Sequence, residues 1–300
     1  MNVLNALIQG TLLGGHYALI ACGLAFMYQV MRVINLAHGA LAVLAGFVFW
    51  VLADSWGVDP FVTLIGVVPG MALVGWGLQR GVLERSTRHG LLVPLLATFG
   101  LAVLINNLLF REFGADPRSL TPYIGSLSYD SWSLGGGLYI GKLAVLIFGV
   151  AVALLGGLSL FLARTPLGRA IRATAADPAT VGLVGISARK VNAIAAAIAL
   201  ATVGIAGMFL AMRGSITPYS GMAVLIFAFE ATVIGGPDSL WGTLVGGIVL
   251  GVVQSLGALV NPEYFLIAGH AVFLAVVIVR VLLPKTSLGR LRTRFAQWMP

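Results

Sequence analysis

Apolar residues form nine stretches along the chain, and the polar residues between them lie in mostly short loops. Most stretches reach the roughly 20 residues that an α-helix needs to cross about 30 Å of hydrocarbon. Three of them, the second, seventh and eighth, are short or rich in glycine and predict short or broken helices. The pattern predicts an all-α fold, a polytopic transmembrane bundle of about eight or nine membrane segments in one domain, residues 1–300. The stretches cover residues 3–28, 36–53, 61–79, 91–110, 138–163, 191–212, 222–236, 242–259 and 264–283.

Composition supports a membrane protein and excludes two other classes. Apolar residues make up 59% of the chain and charged residues only 9%, whereas a soluble domain carries about 25% charged residues. A transmembrane β-barrel would show segments of about ten residues in which apolar and polar positions alternate. The sequence has no such segments, so the membrane segments are expected to be helices.

The positive charges define one face of the predicted bundle. Lys and Arg outnumber Asp and Glu by 18 to 10, but they lie in short loops, so the positive-inside rule explains them better than binding to nucleic acid. With nine crossings every strongly basic loop is cytoplasmic, the N-terminus lies outside and the C-terminus lies in the cytoplasm. A second stretch that enters and leaves on one side would instead put the N-terminus in the cytoplasm. The basic residues of this face are Arg32, Arg80, Arg85, Arg88, Arg164, Arg169, Arg172, Arg189, Lys190, Lys285, Arg290, Arg292 and Arg294.

No pattern of catalytic, nucleotide-binding or metal-binding residues stands out. The four histidines are far apart, the single cysteine, Cys22, lies inside an apolar stretch, and no P-loop or nucleophile motif is present. We therefore expect neither an enzyme nor a cofactor or metal site. Energy for transport then comes from an ion gradient or from a partner subunit.

Polar residues at membrane depth are the candidates for a translocation path. A charge such as Glu230 costs roughly 2.5 to 3.5 kcal/mol to insert, and it either faces the path or pairs with another helix. The segment 35–39, with Asn35, His38 and Gly39, suits a helix break that lines a cavity, and a turn at the membrane interface with Asn35 as the helix cap fits equally. Asn106, beside Asn107, either bonds a neighbouring helix or contacts the solute.

The most polar segment, residues 164–190, predicts a docking knob on the cytoplasmic face. It holds five basic residues and one acid, Asp177. Asp177 and Pro178 divide it into two short helices, near residues 164–176 and 179–185. A protein partner best explains an exposed apolar knob between basic flanks, and binding to anionic lipid is the alternative. The apolar residues predicted to be exposed there are Val181, Leu183, Val184 and Ile186.

Glycines recur at small-xxx-small spacing near the end of the chain, at Gly242, Gly246, Gly247 and Gly251. Such spacing lets two helix backbones approach closely. We expect these glycines to pack against another helix, within the chain or on a partner.

Three blocks of sequence carry a family resemblance. They are GLAFMYQVMRVINLAHGAL at 23–41, RATAADPATVGLVGISAR at 172–189, and VIGGPDSLWGTLVGGIVLG at 233–251. In content and order they resemble the permeases of branched-chain amino acid ABC importers, and the length is similar to the shorter of that family's two permease types. Pro237 and Asp238 depart from the pattern, which commonly has a small residue and glycine there, and Glu230 stands where a neutral residue is expected. Urea permeases and importers of aromatic acids or other amides share these motifs.

The resemblance implies a permease subunit in a bacterial inner membrane. It implies a pseudo-symmetric pair of permeases, two cytoplasmic P-loop ATPases and an extracytoplasmic solute-binding protein. The implied solute is a branched-chain amino acid, with urea or another small amide or carboxylate as alternatives. From the residues alone, an ion-coupled carrier using Glu230 and a structural membrane scaffold also stay open. Carried onto this sequence, the residues that would couple to the ATPase are Arg172, Asp177, Leu183, Gly185 and Ile186.

Overall fold

The fold is given by a computed structural model, which describes residues 3–90, 92–133, 135 and 138–282. The predicted basic tail, with Lys285, Arg290, Arg292 and Arg294, lies outside the described residues. Within them, eight helices are long and apolar enough to cross a membrane, and a ninth apolar helix has only 15 residues. The long helices are α1 (Val3–Met31), α2 (His38–Trp56), α3 (Pro60–Leu78), α5 (Leu92–Phe113), α6 (Lys142–Arg164), α8 (Ala188–Arg213), α10 (Leu240–Val260) and α11 (Tyr264–Leu282), and the short one is α9 (Gly221–Gly235).

These helices confirm the predicted all-α membrane bundle, with three differences in detail. The second segment starts as a helix only at His38, and the residues 32–37 before it are non-helical. The eighth, although rich in glycine, is a full-length helix of 21 residues. The fifth was predicted to begin at residue 138, but residues 139–141 form a strand and the helix begins at Lys142.

Short elements fill the loops. Helix α3 continues through the π-helix Gln79–Leu83 into a short helix α4 (Glu84–Ser86) and the 3₁₀ turn Thr87–His89. The segment 164–190 contains helix α7 (Pro166–Ala176) and the 3₁₀ turn Val181–Val184, close to the two short helices predicted there. Between α5 and α6 lie the 3₁₀ turns Thr121–Tyr123 and Gly125–Ser128 and an antiparallel hairpin of β1 (Ser131–Ser133) and β2 (Tyr139–Gly141), in which Ser131 pairs with Gly141.

The helix ends gather on two faces. On the first, called the basic face, the side chain of Arg189 pairs with Glu84, and Nη2 of Arg280 donates to the Ile234 carbonyl at 3.1 Å. Arg32 at the end of α1 also pairs on this face, with Asp238 just before α10.

Contacts on the opposite face fix the direction of the first helices. Nε2 of Gln9 in α1 donates to the Tyr139 carbonyl at 2.6 Å. The Tyr123 hydroxyl donates to Oδ1 of Asp54, near the end of α2, at 2.5 Å. The first helix therefore begins on the opposite face, and the second segment ends there. That segment therefore does not enter and leave on one side of the bundle, which was the alternative predicted for it.

Close helix packing at glycines holds the centre of the bundle. A methyl group at Gly247 of α10 would lie 2.5 Å from the carbonyl oxygen of Gly14 in α1, and one at Gly251 would meet the carbonyl of Gly10. A methyl at Gly246 would meet the carbonyl of Ala231 in α9. The glycines therefore pack against helices of the same chain, which was one of the two predictions; packing against a partner was the other.

Candidate functional site

Two of the helices, α2 and α9, begin halfway across the bundle. The ring Nε2 of His38, the first residue of α2, lies 2.8 Å from the carbonyl oxygen of Ile20, near the middle of α1. His38 is buried, so this contact fixes the depth at which α2 starts. Helix α9 starts beside the first turn of α2 and runs to the basic face, whereas α2 runs to the opposite face.

Two glycines form the contact between these half-helices. A Cβ atom on Gly39 would overlap the carbonyl oxygen of Gly221, and a Cβ atom on Gly221 would lie 2.8 Å from Cα of Ala40. Only glycine allows the two N-terminal turns to approach this closely. We call the paired turns, residues 35–40 and 220–223, the half-helix junction.

Both helices at the junction begin without a side-chain cap. Neither N-cap residue, Ala37 or Ser220, caps its helix by a side-chain hydrogen bond, and the first N–H groups of a helix have no acceptor within the helix itself. The His38 N–H donates to the Asn35 carbonyl at 3.1 Å. Oδ1 of Asn35 accepts from the Ala37 N–H at 3.0 Å, while its Nδ2 has no partner among the described residues. Asn35 is 0% exposed. The N-cap of α2 is Ala37 and not Asn35, which was the predicted cap.

A cavity of about 90 Å³ lies beside the junction. The side chain of Asn106 in α5 borders it, and within the described chain Oδ1 of Asn106 is buried without a hydrogen-bond partner. Nδ2 of Asn107 donates to the Val103 carbonyl of its own helix at 2.7 Å. Neither asparagine forms the predicted bond between helices in the part of the chain described. The cavity is lined by Leu36, Ala40, Phe99, Ala102, Val103, Asn106, Gly221, Met222 and Leu225.

Glu230 lies away from this cavity, in contact with α11. It is 2% exposed, and its Oε1 lies 2.5 Å from Nδ1 of His270. The ring of Phe227, one turn earlier on α9, stacks against Tyr17 and is parallel to the ring of His270. The Tyr17 hydroxyl donates to Gln254 at 2.7 Å. Of the two roles predicted for Glu230, this geometry matches pairing with another helix.

The segment 164–190, called the coupling loop after the role predicted for it, presents a smaller apolar surface than the sequence predicts. Leu183 and Val184 are 87% and 72% exposed, but Val181 is buried and Ile186 packs partly against the core. The prediction of four exposed apolar residues was wrong for Val181 and is met only in part at Ile186, because these two side chains turn toward the core while Leu183 and Val184 project from the 3₁₀ turn. Arg172 lies exposed on α7, whose buried face is formed by Gly168, Ile171 and Thr174.

Local hydrogen bonds fix the shape of this loop. The Thr165 hydroxyl oxygen caps α7 by accepting from the Gly168 N–H at 2.9 Å. Asp177 accepts from the Ala179 N–H at 3.0 Å and from the Thr180 N–H at 3.3 Å. Contact with Thr180 and with the Ala179 N–H lowers the pKa of Asp177. Gly185 has φ +77°, a left-handed conformation that favours glycine and turns the chain into α8.

Comparison with known proteins identifies the family. The family described as "branched-chain amino acid transport system / permease component" matches residues 6–282. The chain belongs to this permease family. The permease is 30% identical to the high-affinity branched-chain amino acid transport system permease protein BraD of Pseudomonas aeruginosa, and 28% identical to LivH of Escherichia coli, over 96% of each chain in both cases. It is 26% identical to the permease protein LivM of Escherichia coli, over 87% of this chain and 66% of LivM. No solved structure matches at a significant level.

The permease contains two residues whose importance the sequence alone did not reveal. Gly221 completes the half-helix junction, and the only signal for it was the short seventh stretch after Ser220. Glu84 pairs with Arg189 and lies four residues from both Arg80 and Arg88. A single acid at helical spacing between two basic residues was the available signal. Asp238, which departs from the sequence pattern of the family, pairs through its carboxylate with Arg32.

Proposed function

We propose that this permease imports a branched-chain amino acid as one transmembrane subunit of an ATP-driven importer. The family match carries the proposal, because residues 6–282 include the coupling loop, the half-helix junction and all the described membrane helices except the first three residues of α1. The names of BraD and LivH, which refer to high-affinity branched-chain amino acid transport, support this class of solute.

The proposed assembly places the basic face in the cytoplasm of a bacterium and the opposite face outside its inner membrane. In this assembly the two P-loop ATPases contact the coupling loop at Leu183. The other predicted coupling residues either maintain the conformation of the loop or contact the ATPase; they are Arg172, Asp177, Gly185 and Ile186. A solute-binding protein docks on the opposite face. The second permease is a homologous chain, and similarity to the longer protein LivM supports a pair of related but different subunits.

The packing offers a route from the ATPase to the solute path. Helix α7 of the coupling loop packs against α1, α6 and α8. Helix α1 in turn holds His38 through the Ile20 carbonyl, at the start of α2. Movement of the loop on ATP binding would therefore reach the half-helix junction through α1. The permease itself does no covalent chemistry in this proposal, since ATP hydrolysis belongs to the partner subunits.

Reconstitution tests the function directly. Liposomes that contain the permease, its partner permease, both ATPases and the binding protein should take up radiolabelled L-leucine only with ATP inside. Uptake of urea in place of leucine would assign the second candidate solute. Leucine uptake by this chain alone, driven by an ion gradient, would contradict the ATP-driven importer and favour a secondary carrier.

A further inference from the structure

We propose that the half-helix junction binds the charged head group of an α-amino acid, with its carboxylate at the N-terminal turns of α2 and α9 and its ammonium group at Asn106. This inference rests on the proposed function and adds the chemistry by which the permease itself recognises its solute.

The donors at the junction match a carboxylate. A helix N-terminus carries roughly half a positive charge, and its free N–H groups bind anions. Here two such termini meet at Gly39 and Gly221, and neither has a side-chain cap. The fully buried Nδ2 of Asn35 adds a donor with no partner among the described residues. A buried donor without an acceptor is costly, and a carboxylate oxygen would satisfy it.

The acceptor at the cavity matches an ammonium group. Oδ1 of Asn106 is enclosed and has no hydrogen-bond partner in the described part of the chain. It borders the same cavity as Ala40, Gly221 and Met222, which belong to the first turns of the two half-helices. First-turn residues of both half-helices and this acceptor therefore flank one space, as the carboxylate and ammonium of one α-amino acid require.

The remaining lining suits an aliphatic side chain and a neutral solute. Beyond Asn106, the cavity is bordered by apolar side chains and by glycine, including Phe99, Val103 and Leu225. Its volume of about 90 Å³ exceeds several times the roughly 10–15 Å³ that one water needs. No Lys, Arg, Asp or Glu lines the cavity among the described residues, so a zwitterion fits its charge balance better than an isolated anion or cation.

Three probes separate the two halves of the head group. L-Leucine has both charges, 4-methylpentanoate lacks the ammonium group, and 3-methylbutylamine lacks the carboxylate. We would measure their binding to the full chain in lipid nanodiscs by saturation-transfer NMR, with empty nanodiscs to subtract partition into lipid. Wild-type chain should bind L-leucine at least about tenfold more tightly than either analogue, because each analogue leaves a charge-assisted hydrogen bond unmade. Equal binding of all three, or no saturable binding of L-leucine, would overturn the proposal.

A pair of neighbouring substitutions tests the role of Asn106. Asn106→Leu should weaken L-leucine binding by about tenfold and leave 4-methylpentanoate binding unchanged, because only the ammonium contact is removed. Asn107→Leu is the matched control, since Nδ2 of Asn107 bonds its own helix, and it should change neither. Equal weakening of both ligands by Asn106→Leu would overturn the ammonium contact. If Asn106→Leu does not fold, the comparison of ligands on the wild-type chain still decides the proposal.

The fully reconstituted assembly separates this inference from the proposed function. ATP-driven uptake of L-leucine together with equal binding of the three probes would overturn the head-group site and leave the importer intact. ATP-driven uptake of urea without L-leucine uptake would overturn the proposed solute, and the head-group site with it.

Discussion

Nε of Arg189 lies 2.6 Å from Oε1 of Glu84, and this pair joins the end of the coupling loop to the segment that follows the π-helix of α3. The carboxylate of Glu84 is largely buried, and Arg80 and Arg88 lie 3.7 and 3.8 Å from it. A π-helix often marks a functional site within a helix. The coupling loop is thus tied to the first half of the chain by one acid among three basic residues.

We expect this pair to position the coupling loop. Glu84→Gln and Arg189→Gln should each reduce ATP-driven uptake several-fold. Each should lower the free energy of unfolding by only about 1 kcal/mol, because the Arg189 side chain is 63% exposed and screened by water. In a double-mutant cycle, the double variant should lose no more than the worse single variant. Fully additive losses would show that the two residues act independently.

Arg88 provides the control for this pair. It is more exposed than Arg189 and lies further from the Glu84 carboxylate. Arg88→Gln should therefore leave uptake within about twofold of wild type, as for most exposed ion pairs. A loss as large as that of Arg189→Gln would mean that general positive charge, and not the specific pair, matters at this face.

Asp177 should support coupling through its acceptor oxygen. Asp177→Asn keeps an oxygen for the N–H groups of Ala179 and Thr180 and should transport nearly as wild type, whereas Asp177→Ala should lose transport several-fold. Thr180 and the Ala179 N–H lower the pKa of Asp177. Its carboxylate therefore stays charged at every pH above the ordinary Asp pKa of about 3.9, and its charge-assisted hydrogen bonds weaken only as the pH falls below that value. Variation of uptake between pH 5 and 8 that disappears in Asp177→Asn would contradict this.

Glu230 should act with His270 in stability and not in ion coupling. His270→Ala leaves a buried carboxyl group without its partner and should lower the free energy of unfolding by roughly 1–3 kcal/mol. Adding Glu230→Gln to that variant should recover part of the loss, because an amide is cheaper to bury than a carboxylate. Glu230→Gln alone should keep ATP-driven uptake and its pH dependence. Complete loss of uptake in that single variant would revive the ion-coupled carrier.

Two glycines of different surroundings test the packing at the centre of the bundle. Gly247→Ala would place a methyl group 2.5 Å from the Gly14 carbonyl oxygen and should destabilise the protein by about 1–3 kcal/mol. Gly157→Ala in α6 is the control, because apart from the adjacent backbone of its own helix no described heavy atom lies within 4 Å of the added carbon. It should be neutral or slightly stabilising. Thermal unfolding in detergent measures both, and equal losses would contradict the packing account.

The long membrane helices could be predicted from the sequence because a helix that crosses a membrane needs an apolar stretch of about 20 residues. The half-helix junction could be predicted only in part. Asn35–Gly39 signals a break, since asparagine, histidine and glycine interrupt an apolar stretch. The meeting of Gly39 with Gly221 brings together residues far apart in sequence, and no local pattern contains that contact.

The partner of Glu230 and the buried residues of the coupling loop show a second limit of prediction from the sequence. The cost of a charge in the membrane predicts that Glu230 needs a partner, but not that His270 is the partner, 40 residues away. Likewise an apolar run between basic flanks predicts a knob at residues 181–186. Which of its side chains turn inward depends on the 3₁₀ turn and on contacts with the core, so Val181 was predicted on the wrong side.

Co-purification with the ATPases tests the central claim most directly. The chain would be tagged at its N-terminus, extracted from native membranes in mild detergent, and compared as wild type, Leu183→Asp and Tyr129→Asp. Leu183 and Tyr129 are similarly exposed, at 87% and 76%, but they lie on the basic and the opposite face respectively. We predict that wild type and Tyr129→Asp recover a second permease and two P-loop ATPases, and that Leu183→Asp keeps the permease and loses the ATPases. Recovery of the ATPases with Leu183→Asp, or recovery of the wild-type chain alone, would contradict the account.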